Sequence, residues 1–283
     1  MSRRTRSRTT GLAVAVVTAL ATLVAGCSSD SPRAAGTTSP VTVPPSASAT
    51  PPPPVPAAHG CYDLDFAAAV APTTHAGPVP CSAPHTTATI GVGTVRPVVD
   101  GHLLAVDSDT VQQQVAGRCR SQLAAYVGGD EQARRLSRLT VVWFTPTLAE
   151  SDRGALWFRC DLVALAGPDR LAPLPARTRG ILSSADALSR YGTCGTASPS
   201  APRFQRVICS APHSWRARAT VDLPAHGPYL GKAAGAAADA TCHDIEARVA
   251  SDVLNLRWSF EWPTRDQWNA GQRYGYCWTP DPA

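Results

Sequence analysis

The sequence lacks the short motifs that mark several classes of enzyme. It contains no Gly-x-Ser-x-Gly elbow, no Ser-x-x-Lys and no His-Glu-x-x-His, the patterns that place a serine nucleophile or two zinc-binding histidines in common hydrolases. It also has no Cys-x-x-Cys pair, and its last eight cysteines lie at least 15 residues apart, so the spacing of a structural zinc site is absent. We therefore predict no bound metal and no other cofactor, and the sequence offers no recognisable catalytic mechanism.

An excess of charge is also missing once the N-terminus is set aside. The formal net charge is +5, but the first 26 residues carry four arginines and no acidic residue. Without them the formal net charge falls to +1. This value gives no basis for binding nucleic acid or an acidic lipid surface, so we expect no nucleic-acid partner.

The N-terminal segment has the pattern of an export signal. Arginines precede an uncharged, mostly apolar run over residues 11–26, as in secretory signals. The run is shorter than the about 20 residues that a membrane-spanning helix needs. Its ending, Leu23-Val24-Ala25-Gly26-Cys27, resembles the lipobox of bacterial lipoproteins, in which the cysteine thiol receives a diacylglyceryl group and becomes the first residue of the mature chain.

We therefore predict a lipoprotein signal peptide over residues 1–26 and a lipid anchor on Cys27. The lipid would be the contact with the membrane and would hold the chain on the extracytoplasmic face of the cell membrane. Two alternatives remain open at this point. The apolar run could be retained as a signal anchor, or ordinary cleavage could occur beside an incidental cysteine.

Residues 27–59 are predicted to be a disordered tether. Nine of the chain's 26 prolines lie between residues 28 and 59, among serine, threonine and alanine. Such a composition cannot bury a core and favours extended polyproline II, at about 3.1 Å per residue. The tether would hold a folded part away from the membrane.

Eight cysteines follow the tether and fall into two sets of four. They are Cys61, Cys81, Cys119 and Cys160, then Cys194, Cys209, Cys242 and Cys277. The successive intervals are 20, 38 and 41 residues in the first set and 15, 33 and 35 in the second. The second cysteine of each set opens the string CSAPH. This is the pattern of an internal duplication.

An even number of cysteines in an exported chain predicts four disulfide bonds. Four cysteines per copy allow three pairings, and the sequence does not choose among them. Our hypothesis pairs the first cysteine with the second and the third with the fourth. The bonds would then be Cys61–Cys81, Cys119–Cys160, Cys194–Cys209 and Cys242–Cys277.

Each copy is predicted to be a small α+β domain, with one helix on a short antiparallel sheet and disulfides that stabilise it. The copies span residues 60–166 and 191–283, joined by a linker over 167–190. The first copy has predicted strands over 86–95, 139–144 and 155–165, and the second over 214–223, 256–262 and 271–278. Apolar residues at helical spacing surround the third cysteine of each copy. These stripes are Val111, Val115, Cys119 and Leu123, and Ala238, Cys242, Ile245 and Val249.

The CSAPH string invites three interpretations. Ser82 with His85, or Ser210 with His213, could form a nucleophile and base, but no orienting group or oxyanion donor is apparent beside them. A metal site on the two histidines lacks further ligands at a common spacing. The interpretation we favour is structural: the serine hydroxyl closes a turn, and Pro84 or Pro212 fixes φ before the next strand.

Aromatic residues are concentrated in the last 27 residues of the chain. They are Trp258, Phe260, Trp262, Trp268, Tyr274, Tyr276 and Trp278. If exposed, they would suit binding of a glycan or a protein partner. The alternative is that about half of them form the core of a domain with few other large side chains.

Together these residues resemble the septum-formation domain of actinobacterial membrane proteins and lipoproteins. The shared features are a Pro-Cys-Ser-x-Pro-His string, a helix cysteine, Pro-Thr, and Trp-x-x-Gly-x-Arg before the last cysteine. The matching residues are Pro80, Ser82, Pro84, His85, Pro146 and Gly154 in the first copy and Ser210, Pro212, His213, Pro263, Trp268, Gly271 and Arg273 in the second. The first copy departs at Ser151 and Leu156, where the pattern has Trp and Arg, and the second at Ile208, where it has Pro.

The resemblance implies a link to cell division and brings no catalytic residue with it. It leaves two hypotheses of different classes. In the first, the chain is a non-catalytic binding or scaffold module whose partner is a component of the cell wall or a protein of the division machinery. In the second, it is a hydrolase of the cell envelope. The first predicts that Ser82, His85, Ser210 and His213 are buried or engaged in turns, and the second predicts a cleft with converging polar groups. The sequence does not predict an oligomeric state.

Overall fold

A computed structural model of the chain describes Pro51 and residues 53–281. The predicted signal peptide, the predicted lipid attachment site at Cys27 and most of the predicted tether lie outside the described residues. None of the described helices is both long enough and apolar enough to cross a membrane. The described residues group into one compact unit, which contains both copies of the duplication.

The first copy contains seven strands and four helices. In chain order they are β1 (Cys61–Tyr62), α1 (Phe66–Ala69), β2 (Thr87–Thr94), β3 (Val98–Val99), β4 (His102–Leu103), α2 (Asp109–Val127), α3 (Glu131–Leu136), β5 (Leu139–Phe144), α4 (Leu148–Asp152), β6 (Trp157–Gly167) and β7 (Arg170–Ala172). The antiparallel main sheet has the order β1-β2-β6-β5, with β7 beside β6.

The second copy follows a 3₁₀ turn over Ile181–Ser183. Its elements are α5 (Ala187–Tyr191), β8 (Thr193–Gly195), β9 (Arg206–Ile208), β10 (Trp215–Asp222), a 3₁₀ turn over Gly231–Ala233, α6 (Ala234–Val249), β11 (Ser259–Glu261), α7 (Arg265–Asn269) and β12 (Tyr274–Pro280). The antiparallel sheet has the order β11-β12-β10-β8-β9.

The predicted α+β class is confirmed, with one addition. A single long helix, α2 or α6, packs on each sheet, but each copy also has short helices that the apolar pattern does not predict. Two of these, α4 and α7, start with equivalent capping boxes at Thr147 and Thr264. A threonine side chain and a glutamate or glutamine three residues later satisfy free N–H groups of the first turn.

The cysteine stripes lie on the buried faces of the long helices. Val111, Val115 and Cys119 are buried in α2, and Ala238, Cys242 and Ile245 in α6. Val249, expected on the second stripe, is instead 47% exposed. It lies in the last turn of α6, beside a polar cavity rather than the core.

The disulfides join Cys61 to Cys81, Cys119 to Cys160, Cys194 to Cys209 and Cys242 to Cys277. This is the pairing order hypothesised from the sequence. In each copy the third-to-fourth bond ties the long helix to the last long strand of the sheet, α2 to β6 and α6 to β12. The first-to-second bond anchors the short strand that opens the copy to the turn that carries CSAPH.

The two copies share packing. Leu136 of α3 is buried with Tyr276 and Trp278 of the second copy, and Ile208 belongs to the core of the first. Polar contacts reinforce this interface: the Tyr276 hydroxyl donates to the carbonyl of Arg135 at 3.2 Å, and Arg135 forms an ion pair with Asp222 at 2.6 Å.

The predicted linker, residues 167–190, is folded and packs on the core of the first copy. It contains β7, the first 3₁₀ turn and the start of α5. Leu174 and Leu182 lie in the first core, and the backbone N–H of Leu174 donates to the carbonyl of His85 at 2.9 Å.

Candidate functional site

The two CSAPH strings form the same turn. The backbone N–H of Ala83 donates to the carbonyl of Pro80 at 2.8 Å, and that of Ala211 donates to the carbonyl of Ile208 at 2.9 Å. These i to i+3 bonds close β-turns. The backbone, and not the serine hydroxyl, therefore closes each turn. Ser82 and Ser210 are exposed at the turns.

Neither histidine of CSAPH hydrogen-bonds to a serine among the described residues. His85 is buried, and its Nδ1 lies 2.8 Å from the carbonyl oxygen of Ala83. Because a carbonyl can only accept, Nδ1 carries the proton. The equivalent contact joins His213 Nδ1 to Ala211 at 2.7 Å. Each imidazole thus bonds its own turn, and the structure gives no serine–histidine pair that could act as nucleophile and base.

The second ring nitrogen differs between the copies. Nε2 of His85 has no partner among the described residues, whereas Nε2 of His213 lies 3.2 Å from Oδ2 of Asp281. Burial alone would raise the pKa of Asp281, but the hydrogen bond from Arg216 and the charge of Arg218 outweigh it and hold that pKa below its usual range. Asp281 is therefore ionised and binds Arg216, Arg218 and His213 as a carboxylate.

One group of metal-ligand types is found among the described residues. The ligand atoms of Cys194, His213 and Asp281 lie within 4.8 Å of one another. Cys194 is disulfide-bonded to Cys209, so it has no thiolate to offer. The two arginines on Asp281 further oppose a cation. This cluster is an ion-pair network that fixes the end of β12.

The remaining motif residues build a capped turn in each copy. Pro146 and Pro263 are buried immediately before the capping threonines. Gly154 and Gly271 have φ values of 92° and 96°, a region that favours glycine. In the second copy the Arg273 guanidinium lies 4.0 Å from the ring centroid of the buried Trp268.

The first copy has no equivalent of this cation–π pair. Ser151 and Leu156 stand at the two positions, and Leu156 is exposed. The motif thus has a structural role, and the duplication tolerates loss of its aromatic part.

An open aromatic groove lies between α6 and β11 in the second copy. We call it the second groove. Its lining residues are Lys232, Gly235, Ala236, Asp239, Trp258, Ser259, Phe260 and Trp262, and its volume is about 440 Å³. Trp258, Phe260 and Trp262 occupy alternating positions in and directly beside β11, and all three line the groove. Trp258 is held by a hydrogen bond from Nε1 to Asp239 Oδ1 at 3.0 Å.

The first copy has a smaller groove at the equivalent place. This first groove is lined by Gln112, Val142 and Trp143 and by residues 69–72, and its volume is about 240 Å³. Counted from the third cysteine, Gln112 matches Gly235 of the second groove. Counted from the Pro-Thr pair, Trp143 matches Phe260. The duplication has therefore preserved a groove between the long helix and the strand before Pro-Thr.

Part of the chain itself forms one wall of the first groove. Residues 69–72, which begin at the last residue of α1, line the groove. The carbonyl of Pro72 accepts a hydrogen bond from the backbone N–H of Thr145 at 3.0 Å. Thr145 follows β5, which lies at the end of its sheet. The position equivalent to Thr145 in the second copy is Trp262, and within residues 53–281 its N–H makes no corresponding bond.

The aromatic residues near the C-terminus thus serve two purposes. Trp268, Tyr276 and Trp278 are buried, the last two against α3 at the interface of the copies. Trp258, Phe260 and Trp262 are half-buried and line the second groove. Sequence reasoning missed the partners of these residues, Lys232 and Asp239, and the first groove altogether. The sequence feature that pointed to both grooves was that Trp143 and Phe260 lie at the same distance before their Pro-Thr pairs.

Comparison with protein families gives one match. The model of the family described as "Septum formation" matches residues 26–149 and again residues 130–277, so the two matched regions overlap over 130–149. Comparison with curated proteins and with solved structures found no match.

Proposed function

The chain belongs to the septum formation family, with two tandem matches that together span residues 26–277, and we propose that it is a non-catalytic binding module tethered to the outer face of the cell membrane. Four disulfide bonds among the described cysteines support a compartment outside the reducing cytoplasm. The family description supports a place in septum formation. The observation that carries the binding role is the open second groove.

The anchor proposal depends on Cys27. Replacing Cys27 with alanine should move the protein from the membrane fraction to the soluble fraction or leave the signal peptide uncleaved, because the acceptor of the diacylglyceryl group is gone. Cell fractionation and intact mass measure both outcomes. Ser28→Ala, next to the anchor, is the matched control and should fractionate like the wild type. A Cys27→Ala variant with unchanged fractionation and mass would contradict the lipid anchor.

The geometry of the CSAPH turns supports a non-catalytic role. A serine hydrolase needs the serine hydroxyl within hydrogen-bond reach of its base. Here both histidines bond their own turns, and Ser82 and Ser210 are exposed and make no hydrogen bond to them. Asp281, the one carboxylate on a CSAPH histidine, is held by two arginines. The alternative of an envelope hydrolase gains no support from this arrangement.

We propose that the second groove binds an extended segment of a partner protein of the envelope. The first groove supplies the precedent within the same chain, because residues 69–72 line it and hydrogen-bond next to the terminal strand of the sheet. In the second copy the terminal strand, β11, ends at Glu261, directly before Trp262, and no described segment of the chain bonds to the Trp262 N–H as Pro72 does to Thr145. A partner segment would add main-chain hydrogen bonds to the sheet edge and place apolar side chains against the aromatic face.

Peptide selection tests this binding mode. Peptides chosen from a random library against the chain from residue 28 onward should have apolar residues at alternating positions. In NMR spectra they should shift the backbone amide signals of residues 259–262 and of the first turns of α6. Trp262→Ala should weaken binding at least tenfold, a loss of about 1.4 kcal/mol or more that is typical of an aromatic hot spot.

The matched control is Trp143→Ala in the first groove, with folding checked by thermal melting. This variant should leave peptide affinity unchanged, since Pro72 already occupies the backbone hydrogen-bonding position beside that groove. Two results would contradict the proposal. One is selected peptides that shift signals elsewhere and ignore Trp262→Ala. The other is binding of isolated wall glycan, instead of peptides, that Trp262→Ala abolishes.

A further inference from the structure

The second copy contains a further cavity that shares no lining residue with the second groove. It has a volume of about 630 Å³ and lies where the C-terminal end of α6 approaches β10 and the end of β12. Its wall includes Arg218, Glu246, Asp252, Arg257 and Asp281. Cavities of this size suit small ligands, and a few convergent polar groups usually set their specificity.

Glu246 is the unusual residue of this wall. Glu246 is only 4% exposed. Oε1 lies 3.4 Å from the backbone nitrogen of Arg257, a long contact, and Oε2 has no partner among the described residues. A buried carboxylate oxygen without a partner opposes folding. Packing alone therefore does not explain why a glutamate occupies this position.

The equivalent positions in the first copy are occupied by apolar residues. Glu246 is equivalent to Leu123, counted from the third cysteine, and Arg218 to Ile90, counted from CSAPH. Ile90 is buried in the first core and Leu123 packs against it. In the second copy a glutamate and an arginine replace this apolar pair.

A β-bulge lies at the same place in both copies. The register shifts between Thr89 and Gly91 in β2 and between Ala217 and Ala219 in β10. Ile90 and Arg218 are therefore the extra residues. Bulges re-aim side chains and are frequent beside functional sites. The fold thus provides a re-aimed position in each copy, and only the second copy uses it for a charged group.

Three charges of the wall make no ion pair in the described part of the chain, those of Glu246, Asp252 and Arg257, and only Asp252 has both carboxylate oxygens hydrogen-bonded. Arg218 is committed to Asp281, at 2.9 Å, and Asp252 accepts hydrogen bonds from Leu254 and Asn255 in its own turn. Glu246 and Arg257 make no ion pair within residues 53–281 and line one cavity. A carboxylate and a guanidinium in one wall match a ligand that carries both an ammonium and a carboxylate group.

We propose that this cavity binds a small zwitterion, an amino acid or a short peptide with a free amino group. The ammonium group of the ligand pairs with Glu246, and its carboxylate pairs with Arg257. A bare metal cation fits less well, because two arginines lie in the same wall. The cavity shares no lining residue with the second groove, so this proposal is tested separately from the proposed binding of a partner segment.

Calorimetry with simple dipeptides tests the ligand chemistry. The probes are L-alanyl-L-alanine and D-alanyl-D-alanine, each also in an N-acetylated and a C-amidated form, with the chain from residue 28 onward. At least one free dipeptide should bind, and loss of either charge should weaken its binding about tenfold. Absence of binding for both dipeptides at millimolar concentration, or equal binding of the acetylated form, would overturn the proposal.

Variants of the wall test the residues. Glu246→Gln should weaken the dipeptide about tenfold, and Arg257→Ala should weaken the free dipeptide but not its amidated form. Asp244→Asn is the matched control, because it removes a carboxylate from the same helix outside the cavity, and it should leave affinity unchanged. Unchanged affinity in Glu246→Gln, or an equal loss in Asp244→Asn, would overturn the assignment.

A stability measurement separates binding from structure. Glu246→Leu introduces the residue that the first copy has at this position. It should abolish dipeptide binding and leave the melting temperature equal to or above that of the wild type, as expected where a charged group is retained for function. A lower melting temperature in Glu246→Leu, together with full binding in Glu246→Gln, would identify Glu246 as structural.

Discussion

Replacing Arg159 with methionine is expected to lower the free energy of unfolding by about 3–5 kcal/mol. Nη2 of Arg159 lies 2.9 Å from Oδ2 of Asp161, and both side chains are almost completely buried. The guanidinium lies 3.8 Å from the ring centroid of Tyr62 and 4.6 Å from that of Phe144. Methionine keeps the volume but leaves the Asp161 carboxylate buried without its counter-charge. Chemical denaturation at pH 7 measures the loss.

The pH dependence of that loss has a definite sign. Burial is the main influence on the pKa of Asp161 and raises it, while Arg159 and the hydroxyl of Thr89 act in the opposite direction. Without Arg159 the pKa in the folded state rises further above its value in the unfolded chain. Protonation then favours the folded state, so the deficit of the variant should shrink as the pH falls through that raised pKa and be largest above it.

A double variant provides the control. Arg159→Met combined with Asp161→Leu removes both charges and should recover most of the lost stability, because a buried ion pair roughly balances its own desolvation. If the single and double variants lose the same amount, the effect arises from packing of the guanidinium between the two rings, and the electrostatic explanation is wrong.

Removing the Cys242–Cys277 disulfide by a double alanine substitution is expected to cost about 4 kcal/mol. The bond closes a separation of 35 residues and joins α6 to β12 at two fully buried positions. The loss should concentrate in the second copy, and hydrogen exchange should show faster opening of α6 than of α2.

The Cys194–Cys209 bond is the matched comparison. It closes a separation of 15 residues, for which the loop-entropy account gives about 3 kcal/mol. Removal of Cys194–Cys209 should therefore be the milder change in denaturation experiments under non-reducing conditions. The reverse order would contradict the loop-entropy explanation of how these bonds stabilise the second copy.

The duplication and its consequences could be predicted from the sequence. Cysteine order alone indicated two copies, and helical spacing around Cys119 and Cys242 placed both on buried helix faces. The short helices α4 and α7 were missed because five residues carry too little apolar periodicity, although their capping boxes are visible in the sequence. The strand predicted over residues 256–262 is limited to Ser259–Glu261 because only these residues pair with β12.

The candidate sites were harder to predict, for a physical reason. CSAPH drew attention because it contains serine and histidine, but backbone atoms hold its turn and its histidines. The groove depends on residues that are distant in sequence, such as Asp239 and Trp258, which the packing of α6 on β11 brings together. The linker over residues 167–190 proved to be folded because Leu174 and Leu182 complete the core of the first copy.

Site-specific photocrosslinking in living cells tests most directly the claim that the open second groove binds a partner segment. A photoreactive phenylalanine analogue would replace Trp262 in the second groove, Thr145 at the equivalent position of the first copy, or the exposed Arg170 of β7 as a control. We predict that position 262 alone gives a crosslink, and that mass spectrometry maps it to one segment with alternating apolar residues in an envelope protein. Crosslinks of equal yield at all three positions, or none at position 262, would contradict the account.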